Sequence, residues 1–306
     1  MSSIIPAQYE PWPALSYEDF KPTQYLLHRI AQALGKLKLA TPFDPHWSNV
    51  ALWLTSQGLT TGPIPYGMGT YSIDLDLIHH QVHCTSSWGD SASFSVRSMS
   101  VAQFIGIFLG ALSDMGIVIS INLMPQEVPN PIAFDKDIET REYNPGLANA
   151  WLRIMISSYR VMQRYHSHYY GISPPIGLMW GTLDLRDARY QGIHITGTGA
   201  NAGYLRRNAM DDAQVEVGWW SGSEQYPRPA YFSFLYPEVK GLEKARIKPR
   251  KARWDNTLRE FILDYDDVRT AKNPEEELLT FFESTYQSET DIAGWDKSLL
   301  VPGQPV

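Results

Sequence analysis

A chain of 306 residues with 43% hydrophobic and 19% charged residues has the make-up of a globular protein, not of a disordered or collagen-like one. Its 26 Lys and Arg against 33 Asp and Glu give a net charge of −7, which provides no general attraction to nucleic acid or to an anionic membrane. One cysteine, Cys84, rules out an intramolecular disulfide and a thiolate-rich zinc site, while 10 Trp, 17 Tyr and 11 Phe make the chain rich in aromatic rings.

Residues 1–20 carry no basic segment followed by an apolar one, and Pro6, Pro11 and Pro13 would break it. No signal peptide is therefore expected, and the protein is placed in the cytoplasm. The first helix is predicted over Thr23 to Gly35, where Leu26, Leu27, Ile30 and Leu34 recur at helical spacing and Gly35 supplies a stop. Period-two patterns punctuated by turns predict strands over Val50 to Thr55, Thr70 to Leu77, Val82 to Ser86 and Ala92 to Val96. Ser100 and Gln103 form a capping box for a second helix, which ends at Leu112. Phe104, Ile105, Phe108, Leu109 and Leu112 leave that helix little polar face and make it central, with Gly106 and Gly110 admitting a close neighbour. Ser113-Asp114 interrupts the apolar run before it is long enough to span a bilayer, and a strand is expected over Ile117 to Leu123.

The Pro- and acid-rich stretch from Pro125 to Pro145 is the best boundary in the chain. Asn144-Pro145 then opens a third helix and Asn273-Pro274 a fourth, Asn capping and Pro occupying the first helical position in each. Between them, strands are predicted over Leu178 to Leu185, Gln214 to Trp220, Tyr231 to Tyr236 and Leu258 to Tyr265. This order predicts an α+β protein with antiparallel sheets and helices packed on one face. Its two segments, 1–140 and 141–306, are read either as similar halves or as one compact domain.

Three segments carry a resemblance: Trp12-Pro13-Ala14-Leu15-Ser16-Tyr17; His46-Trp47 with the run from Gly58-Leu59-Thr60-Thr61 to Pro65-Tyr66-Gly67; and Trp180-Gly181-Thr182-Leu183-Asp184-Leu185. Together with Gly294-Trp295-Asp296 near the end, they make the chain resemble, over nearly its whole length, a bacterial family of proteins of unknown function. The resemblance implies no activity, cofactor or catalytic residue. It implies His shortly before the Trp-Gly pair and His-Glu ahead of the later Gly-Trp-Trp, where this chain has Gly177 and Asp212-Ala213. Chemistry resting on those His would be missing here.

Two constellations could carry chemistry. A two-residue turn at His79-His80 would set Asp76 opposite His83, with Leu75, Leu77, Val82 and Cys84 on the core face. A carboxylate beside an imidazole orients it and raises its pKa, which suits acid–base catalysis, whereas the bland alternative is a solvated sheet face. The second constellation places Trp180, Thr182 and Asp184 on one strand face by parity, with Arg189 just beyond to pair with Asp184 or an anionic ligand. With His46, Trp47, Tyr66, Trp219, Trp220 and Tyr236 it would line an aromatic cleft of the kind that takes small molecules, unless these rings serve only as packing.

The remaining motifs are weaker. Gly197 to Gly203 follows a strand-like segment but lacks dinucleotide-loop spacing. The basic run from Lys240 to Arg253 faces acidic residues that follow it, and His166 and His168 suit the negative end of the third helix.

The expectation is a protein that binds a small molecule in an aromatic-lined cleft, with catalysis left open. The alternative is a non-catalytic protein–protein or homodimerisation module, and a third reading is glycan binding. No cofactor, metal, nucleic-acid or membrane partner is predicted, and an oligomer is left open.

Overall fold

Ser16 sets the start of the first helix by accepting a hydrogen bond from the backbone N–H of Asp19, at 3.4 Å. The computed structural model describes residues 9–195 and 204–302. Helix α1 (Tyr17–Lys38) begins earlier than the leucine spacing predicts and runs straight through Gly35. That glycine is not a stop: a Cβ there would collide with the indole of Trp180, which packs against the helix.

The strands are β1 (Leu52–Leu54), β2 (Gly58–Thr60), β3 (Ile64–Tyr66), β4 (Gly69–Asp76), β5 (Gln81–Ser86) and β6 (Ser91–Ser95), then β7 (Gly177–Met179), β8 (Asp184–His194), β9 (Asp212–Trp220), β10 (Ala230–Tyr236), β11 (Arg253–Asp255) and β12 (Glu260–Asp264). All pairings are antiparallel, in the order β11-β12-β10-β9-β8-β7-β1-β2-β4-β5-β6, with β3 joined to β4. The α+β expectation is met by one open sheet. Leu52 of β1 lies opposite Leu178 of β7, so the sheet crosses from one segment of the chain to the other.

The other α-helices are α2 (Val101–Asp114), α3 (Pro145–His166), α4 (Tyr204–Ala209), α5 (Tyr265–Arg269) and α6 (Pro274–Ala293), and Pro45–Val50, Leu242–Lys244 and Lys297–Leu299 form short 3-10 turns. The capping box of Ser100 and Gln103 is formed as expected. Contrary to expectation, α2 is not central: Ile107 is exposed, and nothing approaches Gly106 or Gly110. The segment predicted as a strand over Ile117 to Leu123 is irregular. The period-two pattern does not predict β2, β3 or β11, since three residues give too short an alternation to recognise. Gly197 to Gly203 lies outside the described residues.

Helices α3 and α6 cover one face of β8–β10. Register places Leu185, Asp187 and Arg189 of β8 opposite Trp219, Val217 and Val215 of β9, all facing those helices. Their contacts confirm the side: the Ser158 hydroxyl of α3 meets the Tyr231 hydroxyl at 2.9 Å, and Ser233 donates to Glu289 Oε2 of α6 at 2.9 Å. The intervening residues, Asp184, Arg186, Ala188 and Tyr190 with Glu216, Gly218, Phe232 and Phe234, face the other way.

The hairpin between β4 and β5 differs from its predicted register. Asp76 accepts the backbone N–H groups of Ile78 (2.7 Å) and His79 (2.8 Å), closing a four-residue loop, Leu77 to His80. His83 consequently stands opposite Asp74, and Asp76 opposite Gln81. The face assignment survives, because the pairing slips by two residues along β4, an even number, and Leu75, Val82 and Cys84 still point inward.

Candidate functional site

The sheet face turned away from α3 and α6 holds a cavity of about 440 Å³. Its floor is built from β8, β9, β10 and β12, which contribute Asp184, Arg186, Tyr190, Glu216, Trp220, Phe232, Phe234 and Glu260. Trp47, Glu127, the Trp180–Gly181–Thr182 loop and Ala209-Met210 form the walls. Gly218 has a particular role, since a Cβ there would strike the Phe232 ring. The bare strand lets that ring lie over β9.

Arg186 stands in this floor. It is 3% exposed, and neither Nε nor Nη1 has a hydrogen-bond partner. Its nearest carboxylate contact, from Nε to Glu216 Oε2, is 3.8 Å, beyond hydrogen-bonding distance. A buried guanidinium with unused donors is costly, and native proteins seldom leave such groups without a purpose.

Around it lie carboxyls whose protons are held unusually tightly. Burial raises Asp184 above the ordinary carboxylate range, opposed by its hydrogen bond from Thr182 and by Arg186. Burial also raises Glu216, against the pull of Arg186 and with help from Asp184. Glu260 is pushed up to about 8, first by burial and then by the neighbouring Glu216 and Asp184. Glu216 and Glu260 so held keep their protons at neutral pH and can give them to a bound molecule, while Arg186 can hold developing negative charge. Among the described residues no group of three His, Cys, Asp or Glu is placed to hold a metal.

Helix α1 positions the walls. His28 Nε2 lies 2.9 Å from the carbonyl of Gly181 and 3.1 Å from that of Trp180, fixing the loop from below. The Gln32 amide makes a reciprocal pair with the backbone of Gln126, 2.8 Å in each direction, and so sets the neighbouring Glu127 in place. The Trp180 indole donates to the carbonyl of Val50 at 3.0 Å. His46 and Trp47 both have left-handed backbones, at φ 60° and 55°. Such conformations cost of order 1 kcal/mol or more each and persist where surroundings enforce them. Here the His46 ring stacks on Tyr190 with centroids 3.8 Å apart.

A second groove lies beside α3, lined by Trp53, Tyr159, His166 and Ser173 among others. His166 Nδ1 meets the buried Asp187 Oδ1 at 2.9 Å, and the Ser173 hydroxyl lies 3.0 Å from the same nitrogen. The hydrogen bond to Asp187 raises the imidazole pKa. His168, read as another helix-end cation, bonds to Glu283 at 2.8 Å.

Of the residues singled out from sequence, Trp47, Trp180, Thr182, Asp184 and Trp220 line the cavity, and His46 adjoins it through Tyr190. The others lie elsewhere. Trp180 and Asp184 are not on one strand: Trp180 to Leu183 is a hairpin loop, closed by Leu183 at φ 62°. Arg189 cannot pair with Asp184, because an odd offset along β8 puts it on the opposite face. There it donates to the carbonyl of Tyr165 and lies over the Tyr286 ring, 4.4 Å from its centroid. Trp219 shares that face and packs against Tyr265. Tyr66 accepts from the N–H of Val118 at 2.9 Å, on the far side of the sheet order, and Tyr236 ends β10 outside the cavity lining.

Asp76 and His83 likewise stand apart from the cavity. The Asp76 carboxylate is committed to its loop and to His79 Nδ1, at 2.8 Å, while His83 Nε2 is 3.9 Å away and its Nδ1 pairs with Ser93 at 2.8 Å. The parity count missed Arg186, Tyr190, Glu216 and Glu260. Counting by twos from Asp184 reaches Arg186 and Tyr190, and Val215-Glu216-Val217 shows a carboxylate inserted in an apolar strand.

Among the described residues no helix is long and apolar enough to cross a membrane. No curated protein and no solved structure matches the chain. A family model does match, that of the family of unknown function DUF5996, over residues 12–302, and the chain belongs to that family.

Proposed function

We propose that this protein binds a small molecule in the cavity on the open face of its sheet, with a hydrogen-bond acceptor of the ligand seated on Arg186. The observation that carries this reading is the pair of unpartnered donors, Nε and Nη1, on a buried guanidinium in a recess of about 440 Å³. The volume falls within the usual range for small-molecule sites, and the lining joins aromatic rings to charged groups that can orient a ligand. Trp220, Phe232 and Phe234 offer ring faces, and the raised carboxyls provide proton donors at neutral pH. The interaction-module reading has less support, because Trp47, Trp180 and Trp219, which it would need at the surface, are buried within the chain itself.

The test is mass spectrometry of small molecules released from gently purified protein, with the Arg186→Met variant alongside. The wild type should retain a compound that the variant loses. Identical profiles, with no compound enriched over a control protein, would refute the reading.

A further inference from the structure

The charge pattern of the cavity narrows the class of ligand, an inference that rests on the small-molecule reading above. One guanidinium with unused donors shares the recess with the carboxyls of Asp184, Glu216 and Glu260, and Glu127 stands at the wall. A simple anion would satisfy Arg186 but leave the carboxyl oxygens of Glu216 and Glu260 with no donor from the ligand. A simple amine would suit the acids and leave the buried Nε and Nη1 of Arg186 unbonded. A neutral polyol could reach both but would bring no counter-charge to the Arg186 guanidinium. A molecule carrying an anionic and a cationic group a few ångströms apart meets both demands at once.

We propose that the cavity takes a zwitterionic amino acid, its carboxylate on Arg186 and its ammonium group among Glu216, Glu260 and Asp184. Its side chain then lies against Trp220, Phe232 and Phe234. No covalent step is involved. At neutral pH the carboxyl that receives the ammonium group ionises, so binding releases a proton to solvent.

The experiment is titration calorimetry on the full chain with individual standard L-amino acids, beside acetate, butyrate, butylamine and glucose as single-feature probes. The best amino acid is then repeated as its N-acetyl and methyl-ester derivatives. At least one amino acid should bind at least about ten-fold more tightly than either derivative. Arg186→Met should abolish discrimination against the ester, and Glu216→Gln should weaken discrimination against the N-acetyl form. Repeating the titration in buffers of different ionisation enthalpy should reveal proton release, which a purely structural role for these residues would not produce. Arg186-dependent binding of acetate, butyrate or glucose, with no preference for amino acids, overturns the amino-acid assignment and leaves the small-molecule cavity standing. Absence of binding by every amino acid overturns it as well, the cavity itself being judged by the compound released from purified protein.

Discussion

His28 Nδ1 lies 3.3 Å from Arg29 Nη1, while Nε2 of the same ring points at the carbonyls of Trp180 and Gly181. An imidazole that accepts at Nδ1 and donates at Nε2 must be neutral, and a second proton would face the Arg29 charge. Burial, then Arg29, lowers its pKa from 6.5 to about 4. The unfolded chain therefore takes up this proton first as pH falls. The contribution is fully present above about 6.5 and is lost progressively toward pH 4, by at most about 3–4 kcal/mol. The melting temperature of wild type should fall over that window, and His28→Gln should flatten the fall. An unchanged acid slope in the variant would count against this role for His28.

The opposite sign applies to Glu260. Its folded pKa is raised to about 8, so the folded state is favoured below the ordinary carboxylate range and loses that advantage as pH rises from about 4.5 to 8. Glu260→Gln should leave stability at pH 5 nearly unchanged. At pH 8 it should raise stability by about 1–3 kcal/mol, a figure discounted for partial exposure. Denaturant midpoints at the two pH values measure the difference.

Gly35 provides a packing test. Alanine is the better helix former by about 0.5–1 kcal/mol, yet a methyl group here meets the Trp180 indole. Overpacking of this kind costs about 1–3 kcal/mol, so Gly35→Ala should be net destabilising. Because the displaced indole is a cavity wall, retention of the cavity ligand should weaken too. A variant more stable than wild type would show that the indole has room to move.

Arg186 and Arg189, three residues apart on β8, should separate binding from folding. Arg189→Met leaves Glu283, now 3.8 Å from Nη2, without its cationic neighbour and strips the ring contacts of Tyr165 and Tyr286. Stability should drop by about 3 kcal/mol or more, with ligand retention preserved in the folded fraction. Arg186→Met should do the reverse. Equal effects of both variants on binding would show that the two sheet faces do not act separately.

Much of the helical architecture was legible because its signals are local: Asn144 and Asn273 accept from the backbone three residues on, as their positions before Pro145 and Pro274 suggest. The site was harder to read, and β8 explains why. Its run Asp184-Leu185-Arg186-Asp187-Ala188-Arg189-Tyr190 is buried on both faces with polar side chains on each, so no apolar alternation marks which side faces a core. Asp187 bonds to His166 through Oδ1, and Arg189 lies over aromatic rings of α3 and α6, partners distant in sequence. The Trp180–Leu183 loop further broke the parity count at the motif where it was begun. Glu260 lies beyond a basic stretch and only joins the cavity because β12 pairs with β10.

The junction between β1 and β7 governs how the chain can be divided. Severing it near residue 140 would leave each piece with a row of unanswered backbone amides and carbonyls along Leu52–Leu54 or Gly177–Met179. Such rows invite pairing with other chains. It would also part Thr23 from the Asn144 amide it accepts at 2.8 Å, and α1 from the Trp180 loop. Fragments made at the Pro-rich stretch should accordingly aggregate when expressed alone and regain solubility only when produced together.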